Sequence, residues 1–167
     1  SRVGNFAYVD VGGGSTEISL LHDGVLAESH SFNIGTLRML GGAVSEQELM
    51  NMRQMLEEYA REFPATKIIG SGGNINRLFR LARLKGPQRE LPVERLQELY
   101  DTLQALTVVQ RMEQFKLKED RADVIVPAAE IFLTVVEALG SKSIIVPNIS
   151  LADSITDGIW REMQMKG

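Results

Sequence analysis

Three apolar runs separated by turn residues open the chain and predict a meander of β-strands. The runs are Phe6–Val11, Glu17–His22 and Val25–Asn33, and the turns between them are Gly12-Gly13-Gly14-Ser15 and Asp23-Gly24. An Asp-Gly pair between apolar runs is the strongest short-range signal for a β-hairpin. We therefore expect the three strands to be antiparallel neighbours.

Helical spacing of apolar residues replaces this pattern after the third strand. Ser45, with Glu48 three residues later, forms a capping box, and the helix that it begins is expected to end before Pro64. Lys67–Gly70 is a short apolar strand, and a helix from residue 75 to about residue 85 follows it. Alternation of strand and helix from this point is typical of an α/β domain.

The second half of the chain is predicted to be mainly helical. Helices are expected at 93–106, 107–115, 128–139 and 152–164, with a last strand at 143–147 and surface loops at 86–92 and 116–120. Pro127 is placed at the start of its helix, because proline is tolerated in the first turn. The helix that follows is apolar nearly all round, so we expect it to be buried. Glu130 on this helix is expected to be partly buried, in a structural salt bridge or, as the alternative, in a catalytic role.

These elements predict a single α/β domain over residues 1–167, with a mixed five-stranded sheet and covering helices. The antiparallel meander comes first, and the last two strands are reached through helical crossovers. With 44% hydrophobic residues, the chain is long enough to bury roughly two-thirds of its unfolded surface.

Composition excludes several functional classes. The formal charge is −4 with no block of like charge, so neither a nucleic-acid polymer nor a membrane is an expected partner. The absence of cysteine excludes disulfides, zinc-thiolate sites and thiol catalysis, and it fits a reducing compartment. No apolar run approaches the roughly 20 residues of a membrane span and no signal peptide opens the chain, so we expect a cytoplasmic protein.

The glycine loop between the first two strands is the strongest candidate for chemistry. Gly12-Gly13-Gly14-Ser15 has almost no side chains in the way, so its N–H groups can converge on an anion such as phosphate. Asp10 and Glu17 flank the loop. Two acceptor-only groups beside an anion make sense mainly if a hard cation such as Mg²⁺ lies between them and the phosphate oxygens. The alternative role for Glu17 is to orient a nucleophilic water.

An ordinary hairpin loop, with Asp10 capping its own turn, would explain the same residues without any function. The loop is not a Walker A sequence, because no Gly-Lys-Ser/Thr follows it. Nor is it a Rossmann fingerprint, because the residues after Gly14 alternate like a strand.

Two further stretches carry weaker signals. Ser71-Gly72-Gly73-Asn74 lies between a strand and a helix, an arrangement that presents free N–H groups to an anion, although Asn74 can equally be only an N-cap. Arg38 follows the third strand on a short helix that Thr36 is expected to cap. Its guanidinium either forks onto phosphate or is solvated or paired with a surface acid.

The segment Asp10–Glu17 resembles the phosphate-loop motif of the exopolyphosphatase and guanosine pentaphosphate phosphatase family, within the actin, sugar-kinase and Hsp70-like superfamily. Three further stretches agree with that family in order and spacing: Ile34–Arg38, Ile69–Asn74 and Ser150–Gly158. Together the four stretches span nearly the whole chain.

The resemblance implies an RNase H-like fold that forms the second half of a two-domain phosphatase whose first half is absent from this chain. It further implies that the parent protein releases terminal phosphate from polyphosphate or guanosine pentaphosphate, and that this chain alone is nearly inactive. Asp10 and Glu17 would be catalytic and hold Mg²⁺ or its waters. The loop Gly12–Ser15 would hold phosphate with secondary contacts from Thr16 and Arg38. Gly72 and Gly73 would border the same cleft.

The expected partners are the phosphate-rich substrate, the first domain and a second copy of the chain in a homodimer. One alternative is a module that binds phosphate or a nucleotide without turnover, as a sensor or scaffold. A sugar or acetate kinase half is a further alternative, which the Ser-Thr-Glu end of the loop and the Gly-x-x-Arg stretch disfavour.

Overall fold

A computed structural model of the chain describes residues 4–148, which form six strands and six helices. The elements, in chain order, are β1 (Asn5–Val11), β2 (Thr16–His22), β3 (Val25–Phe32), α1 (Thr36–Leu40), α2 (Glu46–Glu62), β4 (Lys67–Ser71), α3 (Gly73–Leu81), β5 (Glu90–Pro92), α4 (Val93–Gln104), α5 (Val108–Phe115), α6 (Glu119–Leu139) and β6 (Ser143–Ile145). The helix predicted at 152–164 and the motif stretch 150–158 lie outside the described residues.

The strands form one mixed sheet in the order β3-β2-β1-β4-β6-β5. The first three strands are antiparallel neighbours, as predicted, and Asp23 and Gly24 make the second turn with φ of 50° and 80°. Both values are positive, which is the geometry of the hairpin turn that an Asp-Gly pair favours. β4 pairs in parallel with β1, and β6 pairs in parallel with β4. The carboxyl ends of β1, β4 and β6 therefore meet at one edge of the sheet.

The sheet has a sixth strand that the sequence analysis assigned to a surface loop. Glu90–Pro92 pairs antiparallel with β6, with Leu91 opposite Ile144 and both side chains buried. A three-residue strand that ends in proline has no periodicity of its own. Its pairing is decided by the distant strand against which it lies.

The last helix within residues 4–148, α6, starts nine residues earlier than predicted, so Pro127 lies inside it instead of in its first turn. α6 packs against β1 and against each of the other helices, and most of its side chains are buried. This tertiary packing outweighs the backbone hydrogen bond that a proline removes. Glu130 is exposed, so its predicted partial burial is wrong.

Among the residues that the structure describes, the helical layer covers one face of the meander fully and leaves the other face uncovered. Ala7, Val9 and Ile18 are completely buried on the covered face. Side chains alternate between the two faces of a strand, so Asp10 and Glu17 lie on the other, open face. Within residues 4–148, no helix is both long and apolar enough to cross a membrane.

Candidate functional site

The loop between β1 and β2 is a tight connection closed by its own backbone. The amide of Gly12 donates to the carbonyl oxygen of Ser15 at 2.9 Å, and Val11 lies opposite Thr16 at the base of the loop. The next cross-strand pair is Asp10 and Glu17. The two acids predicted to flank the loop are therefore direct neighbours on the same face, where Cβ atoms of opposite residues are about 5 Å apart.

Helix α1 holds the loop through the loop's carbonyl groups. The amide of Thr36 donates to the oxygen of Gly12 at 2.9 Å, and the amide of Leu37 donates to the oxygen of Gly13 at 3.0 Å. The Nε of Arg38 donates to the oxygen of Gly14 at 2.6 Å. The first turn of a helix has unpaired amides, and here the phosphate-loop candidate satisfies them.

This arrangement leaves the loop's own amides available. The N–H groups of Gly13, Gly14 and Ser15 donate to no acceptor in the part of the chain that the structure describes. Successive N–H groups of a tight turn can converge on an anion when no acceptor within the fold takes them. The loop therefore has the donors that a phosphate group requires.

The two carboxylates of the pair have different surroundings. Oε1 of Glu17 accepts hydrogen bonds from the hydroxyls of Ser15 at 2.8 Å and Ser31 at 3.1 Å. No donor within residues 4–148 reaches the carboxylate of Asp10. Burial of this carboxylate, and secondarily the negative charge of Glu17, raise the pKa of Asp10 above its ordinary value. The charge of Asp10 is thus the less compensated of the two.

The second glycine loop lies directly against this pair, because β4 runs parallel to β1 and Asp10 lies opposite Ser71. Gly72 precedes α3 with a φ of +99°, and a Cβ there would lie 2.7 Å from Oδ1 of Asp10. Only glycine combines that backbone conformation with so close an approach. The structure therefore brings Gly72 and Gly73 to the same edge as the first loop, as predicted.

Asn74 connects the two loops, and the sequence analysis did not predict this contact. Its Nδ2 donates to the carbonyl oxygen of Val11 at 2.9 Å, and its Oδ1 accepts from Nη2 of Arg77 at 3.2 Å. The N-cap of α3 is Gly72, so the alternative role of Asn74 as an N-cap is wrong. The only signal in the sequence is the spacing of three residues between Asn74 and Arg77, which places both on one side of a helix.

Two residues predicted near the phosphate have structural contacts. Thr16 is fully buried, and its hydroxyl donates to the carbonyl oxygen of Ile34 at 2.6 Å, which argues against the predicted contact of this side chain with phosphate. Thr36 does not cap α1, because the N-cap is Gly35 and Thr36 is the first helical residue. Arg38 is exposed beside the loop, and its Nε already binds the loop carbonyl. A contact between phosphate and the two other guanidinium nitrogens of Arg38 stays a prediction.

The acid pair fits a magnesium site that is completed by phosphate oxygens. No group of three or more His, Cys, Asp or Glu side chains that could hold a metal occurs within residues 4–148. Mg²⁺ is usually bound by one or two carboxylates together with waters and substrate phosphates, so two acids beside an anion loop are sufficient. In the part of the chain that the structure describes, Asp10 in particular has a carboxylate without a donor, which suits a cation or a water bound to one.

The sequence matches the model of the Ppx/GppA phosphatase family over residues 2–160. The chain belongs to this family. Membership confirms the resemblance on which the expected site was based and the actin-like fold expected from it. A comparison with curated protein sequences found no match.

Solved structures of Ppx/GppA proteins share this fold. A structure of the Aquifex aeolicus PPX-GPPA enzyme is 25% identical with a TM-score of 0.69, over 87% of this chain and 54% of that one. An exopolyphosphatase from Cytophaga hutchinsonii is 21% identical with a TM-score of 0.69, over the same shares of the two chains, and at this identity it shows the fold alone. The chain thus spans little more than half the length of these Ppx/GppA relatives.

Proposed function

We propose that the chain is the phosphate-holding half of a phosphoanhydride hydrolase that releases terminal phosphate from inorganic polyphosphate or guanosine pentaphosphate. One observation supports the proposal above the others: the amides of Gly13, Gly14 and Ser15, which have no acceptor within residues 4–148, lie beside two opposed carboxylates. Membership of a phosphatase family agrees with this chemistry. In the reaction, water adds to the terminal phosphorus while the bridging P–O bond breaks, giving orthophosphate and a shortened polyanion.

The loop's role is to bind and orient the phosphoryl group. Catalysis of phosphoryl transfer depends mainly on positioning and on neutralising charge on the equatorial oxygens. The loop amides can do both, because α1 fixes the loop by four hydrogen bonds to three of its carbonyl groups. Arg38 adds a positive charge at the rim, with the end of its guanidinium directed by the bond from Nε.

The acid pair divides into two roles. Asp10 is the better candidate to hold Mg²⁺ or one of its waters, because no donor within the described residues compensates its charge. When bound, this ion would neutralise negative charge on the phosphate oxygens. Glu17 is fixed by two serine hydroxyls, and this rigidity suits either a second contact to the ion's waters or the orientation of the attacking water.

The activity is proposed for a protein longer than this chain. The chain covers only 54% of the Aquifex structure and of the Cytophaga structure. The resemblance implies that the remaining length supplies a first domain, which closes the cleft, so this chain alone is expected to be nearly inactive. The homodimer and the cytoplasmic location stay predictions.

Substitution of Asp10 tests the metal assignment. In the full-length parent protein, Asp10→Ala is expected to lower kcat strongly and to raise the Mg²⁺ concentration needed for half-maximal orthophosphate release. Glu113→Ala is the matched control, because it removes an exposed carboxylate from α5. Unchanged kcat and unchanged Mg²⁺ dependence in Asp10→Ala would remove Asp10 from the mechanism.

A second experiment separates the hydrolase from a binding module. Addition of the separately produced first domain to this chain is expected to restore orthophosphate release from polyphosphate. The melting temperature of the chain could instead rise with phosphate while neither the chain alone nor its mixture with the first domain releases orthophosphate. The chain would then be a sensor or scaffold.

A further inference from the structure

Arg77 has surroundings that its contacts within the fold do not explain. Its side chain turns back toward the first turn of α3, so that a Cβ at Gly73 would lie 3.1 Å from Nη1 and 3.3 Å from Nη2. Long side chains on a helix commonly lean toward its N-terminus. The guanidinium therefore lies against the backbone of the second glycine loop.

The charge of this guanidinium is poorly compensated. Its single hydrogen bond within residues 4–148 goes to the neutral amide oxygen of Asn74, and its Nε is buried without a partner there. No carboxylate in the same part of the chain lies within 4.0 Å of it. Burial, and then the positive charges of Arg121 and Arg80, lower the pKa of Arg77, while Asp120 opposes this shift.

The position on the helix makes the lack of compensation more costly. The N-terminus of a helix carries a partial positive charge, so cations are stabilised at the opposite end. Arg77 nevertheless places its cation beside the first residues of α3. A guanidinium in such a place, close to other arginines, is favourable when an anion binds between the guanidinium and the helix amides.

Two contacts place this guanidinium next to the phosphate-loop candidate. Asn74, which accepts from Arg77, donates to the carbonyl oxygen of Val11, the last residue before Gly12-Gly13-Gly14-Ser15. Gly72, immediately before α3, lies against the carboxylate of Asp10. Asn74 therefore links the guanidinium of Arg77 to the residue before the phosphate loop, at the sheet edge where Gly72 meets Asp10.

We propose that Arg77 binds the second phosphate group of a phosphoanhydride, next to the terminal phosphate held by the Gly12–Ser15 loop. This inference rests on the proposed function and assigns a residue to the leaving-group side of that site. A forked guanidinium can bind two phosphate oxygens and stabilise the negative charge that develops on the leaving phosphate. Orthophosphate, which has no second phosphate group, gains nothing from Arg77.

The test compares two anions that differ by one phosphate group. Binding of orthophosphate and of pyrophosphate to the protein is measured by calorimetry for the unchanged chain and for Arg77→Met, which keeps much of the apolar stem. Charged hydrogen bonds contribute enough that pyrophosphate affinity is expected to fall about 10- to 100-fold, with orthophosphate affinity within about twofold. Arg77→Lys keeps the charge without the forked guanidinium, so its pyrophosphate affinity is expected to lie between those of the unchanged chain and of Arg77→Met.

Arg61→Ala is the matched control for net charge. It removes an exposed arginine from the last turn of α2, which leads into the amino end of β4, whereas the site lies at the carboxyl end. Both anions are expected to bind to this variant as before.

The outcomes separate this inference from the proposed function. Pyrophosphate affinity unchanged in both Arg77 variants would overturn the assignment of Arg77 alone. An equal loss of affinity for both anions, with a lowered melting temperature, would also overturn it, because Arg77 would then only hold Asn74 in place. If the unchanged protein bound neither anion, the proposed function itself would be wrong.

Discussion

At the scale of single residues, the site is defined by a repulsive pair. Asp10 and Glu17 lie opposite each other across two strands, and like charges in that position destabilise a sheet. Among residues 4–148, serine hydroxyls stabilise the charge of Glu17 but not that of Asp10. Such an arrangement costs stability in the free protein and is favourable when a cation or a bound water is added.

This cost predicts that Asp10→Asn stabilises the free protein near neutral pH. Because the pKa of Asp10 is raised in the folded protein, folding favours the neutral form of this carboxyl. The stability that the neutral form contributes is fully present below the ordinary pKa of 3.8 and is lost as pH rises through the raised value. Asparagine stays neutral throughout. We expect a gain in unfolding free energy of up to about 1 kcal/mol near pH 7, measured by urea unfolding, and a smaller gain near pH 4.

Glu17→Gln provides the comparison within the pair. Burial is the larger cause of the raised pKa and Glu17 the smaller, so removal of the Glu17 charge is expected to stabilise the protein less than Asp10→Asn. The same gain for Asp10→Asn at both pH values would show that its charge is not the source of the effect.

Sequence reasoning reached the residues whose positions follow from local spacing. The register of a hairpin with a four-residue loop places Asp10 opposite Glu17, so their pairing could be expected from the chain alone. The contacts of Asn74 with Val11, and the burial of the Thr16 hydroxyl against Ile34, join residues 63 and 18 positions apart. No local sequence pattern predicts contacts between residues so far apart in the chain. For this reason Arg77 was not among the predicted site residues.

At the scale of elements, the same distinction holds. The capping box that begins α2, at Ser45, is complete within four residues and was placed correctly. β5 and the first two turns of α6 depend on packing partners elsewhere in the chain, and both were missed. A helix that runs through Pro127 shows that burial on several sides outweighs a local penalty of about 3 kcal/mol.

The packing of α1 on the phosphate loop leads to a prediction about Gly35. A Cβ at Gly35 would lie 2.3 Å from the carbonyl oxygen of Gly13, so the helix and the loop cannot keep their contacts if this residue is enlarged. Gly35→Ala is expected to cost about 1–3 kcal/mol of stability. It should also weaken phosphate binding, because the loop loses the contacts that orient its amides. Thermal unfolding and phosphate titration of the same variant measure the two effects.

Gly14→Ala is the matched control on the other side of this contact. A Cβ at Gly14 meets no atom within 4 Å, and the backbone there is not in the left-handed region. Its melting temperature is expected to stay close to that of the unchanged protein. If Gly35→Ala were equally harmless, α1 would not be what holds the loop in place.

At the scale of the whole molecule, two exposed apolar residues lie on the helix that contacts the phosphate loop. Leu37 and Leu40 are 63% and 44% exposed on the short helix that fixes the phosphate loop. Single exposed apolar residues are normal on a protein surface. Two of them on a five-residue helix beside the proposed catalytic cleft are where we expect the first domain to pack.

This expectation predicts that Leu37→Lys weakens assembly without weakening the domain. An exposed substitution changes stability by about 0.5 kcal/mol or less, so the melting temperature of the chain should stay nearly constant. Loss of a buried leucine from an interface costs about 1.5–3 kcal/mol. The concentration of first domain needed for half-maximal orthophosphate release should therefore rise about 10- to 100-fold. Val109→Lys, at an equally exposed position on α5, should leave this concentration of first domain unchanged. Equal effects of the two substitutions would mean that the first domain does not pack on α1, and the cleft would have to be closed from another side of the phosphate loop.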